Sequence, residues 1–143
     1  MPRNKTMGKA ALLVLIAAFV PQVATAYVLR RSSIPEAYWG TWAPADATCK
    51  DADQSATLVL SAQAYVSSAT SCAVAYVSET PSPKGPIYSA HLLCSNPAAP
   101  AQKKTSADLI IRPGEANQID IGPDFPDLKP YQHCPASEPG AKP

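Results

Sequence analysis

A chain of 143 residues with 12 Lys and Arg against 11 Asp and Glu carries a formal charge of only +1. It has no dense basic stretch, so it lacks the clustered cations that a phosphate backbone requires, and nucleic acid is excluded as an expected partner. The length bounds the fold to one domain, and 16 prolines, spread through the chain, leave little room for long helices.

The first 26 residues have the layout of a secretory leader. Arg3, Lys5 and Lys9 supply a positive start, Ala10 to Val20 form an apolar run of 11 residues, and Ala24-Thr25-Ala26 offer a small-x-small cleavage site after Pro21. Such a run is well short of the roughly 20 residues that cross a bilayer, so no membrane association is expected after cleavage. The first cysteine is Cys49, far from the cut, so a lipid-bearing N-terminal cysteine is not expected. Without a twin arginine before the apolar run, export as an unfolded chain is expected. Removal of 26 residues leaves 117, starting at Tyr27, with 9 basic against 11 acidic side chains and a net charge of −2.

Residues 27–35 read as a flexible lead that is either disordered or lies along the barrel, with Pro35 holding Ile34 extended. The domain proper is expected over residues 36–134. Glu36-Ala37-Tyr38 suits a single turn, and Trp39 to Ala43 a first strand. The three-residue spacing of Trp39 and Trp42 puts them on opposite faces of that strand. Trp42 is then a structural core residue, while Tyr38 and Trp39 are candidates for partner contact, since exposed aromatics tend to anchor partners.

A loop holding Cys49 follows, and period-two alternation then recurs, as in half-buried strands. Thr57 to Tyr65 places Leu58, Leu60, Ala62 and Ala64 on one face, and Cys72 to Glu79 does the same for Cys72, Val74 and Tyr76. Ile87 to Ser95 aligns Tyr88, Ala90, Leu92 and Cys94. Ser106 to Arg112, Gln118 to Gly122 and Tyr131 to Cys134 complete the set. Pro113-Gly114, Asn96-Pro97 and Pro81 to Pro86 supply turn chemistry between them. The expectation is an all-β domain, a small antiparallel meander barrel of about 7–8 strands, with a disordered tail over residues 135–143. So short a chain, with that many strands to fill, favours a packed interior over a cavity.

Four cysteines, Cys49, Cys72, Cys94 and Cys134, in an exported chain read as two disulfides. Their separations of 23, 22 and 40 residues contain no Cys-x-x-Cys of the kind zinc or redox sites use. Four cysteines allow three pairings. Cys49 with Cys72 and Cys94 with Cys134 is the expected one, the first tying the entry loop to the next strands and the second securing the terminus.

No catalytic constellation emerges. His91 and His133 are the only histidines. Each alternates with a cysteine and so falls on the outer face if Cys94 and Cys134 point inward. There is no Gly-x-Ser-x-Gly or His-Glu-x-x-His. Asp51-Ala52-Asp53-Gln54-Ser55 begins like a calcium loop, but Ala56 stands at the glycine position and Ala62 at that of the bidentate glutamate. Asp124 and Asp127 read as loop acids. No enzyme activity, metal or cofactor is expected.

The Gly40-Thr41-Trp42 opening resembles the Gly-x-Trp start of lipocalin-like (calycin-like) proteins. There the tryptophan closes one end of the barrel and packs on a basic residue near the last strand. From Ile34-Pro35 to Trp42-Ala43-Pro44, through Cys49, Cys72 and Cys94 to Tyr131 and Cys134, the chain also resembles a set of uncharacterised small exported β-barrel proteins of Gram-negative bacteria. These resemblances imply a stapled barrel in the periplasm or outside the cell, monomeric and non-enzymatic. Its expected role is binding or interaction, either as a carrier of a small apolar ligand or as an inhibitor of an envelope or secreted protein such as a protease or lysozyme. The general build of bacterial metalloprotease and lysozyme inhibitors is similar, and in the former an extended segment like Tyr27 to Ser33 enters the protease cleft.

Overall fold

The computed structural model describes residue 2 and residues 27–50 and 56–136. The leader apart from Pro2, the calcium-like stretch 51–55 and the tail beyond residue 136 lie outside the described residues. Nine strands form: β1 (Leu29–Arg31), β2 (Gly40–Pro44), β3 (Leu58–Leu60), β4 (Ala64–Ser67), β5 (Ser71–Thr80), β6 (Ile87–Ser95), β7 (Thr105–Pro113), β8 (Gln118–Gly122) and β9 (Lys129–Cys134). From β2 to β9 each strand pairs antiparallel with the next, and β9 returns to β2, closing an eight-stranded barrel. The expected meander is therefore the observed one. Closure removes the free edges that short sheets otherwise expose.

The ninth strand, β1, shows that the lead takes the second of its two expected courses and lies along the barrel. Leu29, Arg30 and Arg31 pair with Glu79, Ser78 and Val77 of β5. The same edge of β5 pairs with β4 over Ser71 to Ala73. A register shift between Val74 and Tyr76 separates the two stretches, so one long strand serves two short partners in line. The Arg31 guanidinium donates to the Glu79 carboxylate, which fixes the register of β1.

A departure lies in Thr57 to Tyr65, expected as one strand. The chain turns over Ser61 to Gln63 and β3 and β4 form a hairpin, with the Ser61 amide donating to the Ala64 carbonyl at 3.0 Å. The hairpin keeps Leu58 and Leu60 in the core, while Tyr65, not Ala64, packs against it.

The barrel has a closed end and an open one. At the closed end the chain after β1 crosses the opening. Ile34 is 0% exposed, and its amide donates to the Ala62 carbonyl at 3.0 Å. Residues 36–38 make one 3-10 turn, and two indoles hold it in place. Trp39 Nε1 donates to the Ile34 carbonyl at 2.8 Å and Trp42 Nε1 to the Tyr38 carbonyl at 2.9 Å. Beneath them lie Leu60, Val77, Tyr88, Ile111 and Ile119. β1 enters and β9 leaves at this end, as the pairings Leu29–Glu79 and Thr41–Cys134 require.

The disulfides are Cys49–Cys134 and Cys72–Cys94, and the expected pairing of Cys49 with Cys72 and Cys94 with Cys134 is corrected. Cys72 and Cys94 stand directly opposite each other on β5 and β6, with Cα atoms 3.9 Å apart, and face the interior. Cys134 instead pairs with Thr41 on the outer face. There residues 45–50 fold back over β2 and β9. The Ala45 amide donates to the Pro130 carbonyl at 3.0 Å, and the Gln132 side-chain amide donates to the Ala47 carbonyl. Ala43, although it faces outward, is thereby fully buried. Two disulfides are consistent with an oxidising, non-cytoplasmic location.

Candidate functional site

The residues singled out in the sequence end up in three places. Trp42 lies in the core, 3% exposed, with the His133 ring edge-on to it at 4.9 Å. His133 was expected on the outer face if Cys134 pointed inward; that condition is not met, although His133 stays exposed at the closed end. Because Cys134 points outward to reach Cys49, alternation turns its neighbour His133 inward, opposite Trp42 in the β2–β9 register. Gly40 makes room for it: its φ is +126°, and a Cβ there would sit 2.6 Å from His133 Nε2. Tyr38 turns toward the barrel. It is half-buried against the core, edge-on to Tyr88 at 5.4 Å. Trp39 stays on the rim of the closed end, 39% exposed, with its indole N–H already committed.

Burial holds the hydroxyls of Tyr38, Tyr88 and Tyr131 above their ordinary value near 10. The neighbouring Tyr88 and Glu79 add to the effect at Tyr38, Glu79 adds to it at Tyr88, and Tyr65 adds to it at Tyr131. The folded state thus keeps these protons more tightly than the unfolded chain does. Their stabilising contribution is complete below pH about 10 and is lost as pH rises through the raised values. The urea midpoint is expected to stay level up to about pH 9.5 and to fall above about 10, with tyrosinate absorbance in the folded protein lagging behind that of the unfolded chain. Coincident titration curves for the two states would contradict this.

On the outer face His91 joins a ladder across four strands. Arg30 lies 4.0 Å over the Tyr76 ring, Tyr76 stacks on His91 at 4.1 Å, and His91 Nδ1 is 2.6 Å from Asp108 Oδ1. His91 and His133 are not brought together. Among the described residues no group of three His, Cys, Asp or Glu side chains could hold a metal ion. Asp124 accepts the Asp127 amide at 3.1 Å, closing the β8–β9 turn.

Two adjoining hollows lie at the open end. One of about 610 Å³ is bordered by Ala107, Pro123 and the rings of Tyr65 and Tyr131, with Leu58, Leu92, Leu109, Ile121 and the Cys72–Cys94 bridge at its base. A second hollow of about 850 Å³, bounded by Pro44, Ala47 and Thr57, shares Leu58, Tyr65, Lys129 and Tyr131 with it. The interior itself is packed, as expected: Leu58, Leu92, Leu109 and Ile121 belong to the core and are at most 5% exposed, so the hollows are depressions at the mouth above it. Eight strands give an interior just wide enough to be filled by side chains or to hold one small ligand, and here Ser67, Thr105 and Ala107 are too small to fill the mouth.

Sequence reasoning did not assign Tyr65, Lys129 and Tyr131 to a site. Alternation along β9 could have found the last two, which share the face of His133, but an inward Cys134 puts that face on the outside. Compared with models of protein families, with curated proteins and with solved structures, the chain matches none.

Proposed function

We propose that the protein is an exported, non-enzymatic binding protein that takes one small, largely apolar molecule into the open end of its barrel. The observation that carries this reading is the hollow of about 610 Å³ at the mouth, where Tyr65, Tyr131, Ala107 and Pro123 present apolar surface. It falls within the roughly 300–1,000 Å³ of small-molecule sites, which combine apolar walls with a few polar groups. The calycin-like opening agrees with it, since Trp42 closes the opposite end against His133. The inhibitor reading stands second. It draws on a free N-terminal segment, and Leu29 to Arg31 are paired along β5.

The test uses the neutral fluorophore N-phenyl-1-naphthylamine. Saturable one-to-one binding is expected, weakened more than tenfold by Ala107→Trp, which places an indole in the mouth without overfilling the core. Absence of saturable binding to the wild-type protein would overturn the proposal. Export to the periplasm or beyond is tested by intact mass. Protein recovered from the cell envelope or medium should begin at Tyr27 and weigh four hydrogens less than the reduced chain, two for each disulfide. A product retaining residues 1–26 would contradict export with cleavage.

A further inference from the structure

The mouth of the barrel holds polar groups that the fold itself does not use. Lys129 opens β9 opposite Ile121, on the inward face, and it lines both hollows. Among the described residues its ammonium makes no ion pair. Tyr65 and Tyr131 face the same space from β4 and β9. Neither phenol donates a hydrogen bond to another described residue. Three carboxylates border the hollows as well. Asp108 is engaged outward by His91, Asp127 belongs to the β8–β9 turn, and Asp46 lies on the loop after β2.

Resting on the apolar-ligand reading just given, we infer that the ligand is an amphiphilic monocarboxylate, whose head is received by Lys129 with the Tyr65 and Tyr131 hydroxyls while its apolar body lies along the tyrosine rings, Ala107 and Pro123. An ammonium at the lip of an apolar hollow loses hydration when a ligand covers it, and an anionic oxygen restores what is lost. The phenols add donors, and donation to an ionised acceptor is about twice as strong as between neutral groups. A hydroxyl head would accept the same donors without the charge. A cationic head would have to draw on Asp127 or Asp46 and would be repelled by Lys129.

The experiment is calorimetric titration of the oxidised protein, produced from the full chain, with decanoate, decanol and decyltrimethylammonium at low ionic strength. Decanoate should bind at least about tenfold more tightly than decanol, as a charge-assisted hydrogen bond provides. Lys129→Met should weaken decanoate at least about tenfold and decanol by much less, so that the preference for the carboxylate disappears. Should Lys129→Met fail to fold, Lys129→Gln serves, and the wild-type preference should itself shrink as salt is raised. Equal binding of decanoate and decanol, a preference that survives in the Lys129 variants, or tighter binding of the cation would each overturn the inference and leave the hollow as an apolar site. If none of the three amphiphiles binds and N-phenyl-1-naphthylamine does not bind either, the apolar-site reading fails and the head-group inference falls with it.

Discussion

Replacing Cys49 and Cys134 together by alanine is expected to lower the unfolding free energy by about 4 kcal/mol and the midpoint temperature by roughly 15–20 °C. The bridge spans 85 residues, so in the unfolded chain it suppresses more loop-closure entropy than the inner bridge, which spans 22. Against the roughly 5–15 kcal/mol of a typical domain, that is a large share. The loss should be localised. Cys134 ends β9 and Cys49 holds the loop that covers Ala43, so the amides of residues 129–134 should lose hydrogen-exchange protection first. The matching Cys72→Ala, Cys94→Ala protein should keep those amides protected, because its bridge joins β5 to β6, and neither strand pairs with β2 or β9. A loss below about 1 kcal/mol in the outer variant would show that strand pairing alone holds the seam closed.

Trp42→Ala is expected to cost about 3–5 kcal/mol. The indole is almost fully buried, contacts His133, and donates to the Tyr38 carbonyl, so its removal empties the floor of the barrel and frees the turn above it. Trp42→Phe separates the two contributions. It keeps most of the packing and gives up the hydrogen bond, for a loss of about 1–2 kcal/mol. Equilibrium denaturation checks both, and the change in near-ultraviolet dichroism reports whether Tyr38 and Trp39 stay ordered. Equal losses in the two variants would assign the role of Trp42 to its N–H and not to its volume.

The strands that could be read from the sequence are those whose alternation is bounded by turn residues. Ile87–Ser95 and Gln118–Gly122 form as expected because Pro86, Gly114 and Pro123 punctuate them. The turn at Ser61 to Gln63 was hidden because it contains no glycine or proline and alternation continues through it, so only the backbone bond from Ser61 to Ala64 reveals it. The strand over Leu29 to Arg31 was hidden for another reason. Its three residues are all exposed, and its pairing depends on the free upper edge of β5, which exists only once the barrel is formed.

The candidate site was less legible than the fold, and a single parity accounts for much of that. Once Cys134 is taken as inward, Lys129, Tyr131 and His133 fall on the solvent side, and the mouth of the barrel loses two of its polar groups. Nothing local contradicts that assignment. Strand period states which residues share a face, but the choice of face is made by the disulfide partner and the cover over Ala43. The hollow itself is a property of closure and of small side chains at one rim, which no single segment encodes.

Because the described chain enters through β1 and exits through β9 at the same closed end, both connections lie on the side away from the mouth. A linker, a neighbouring domain or a solid support joined directly before β1 or after β9 would attach behind the mouth and leave it facing away. Copies strung together or grafted to a surface would therefore all present the same opening to the medium, each as accessible as it is in the free protein.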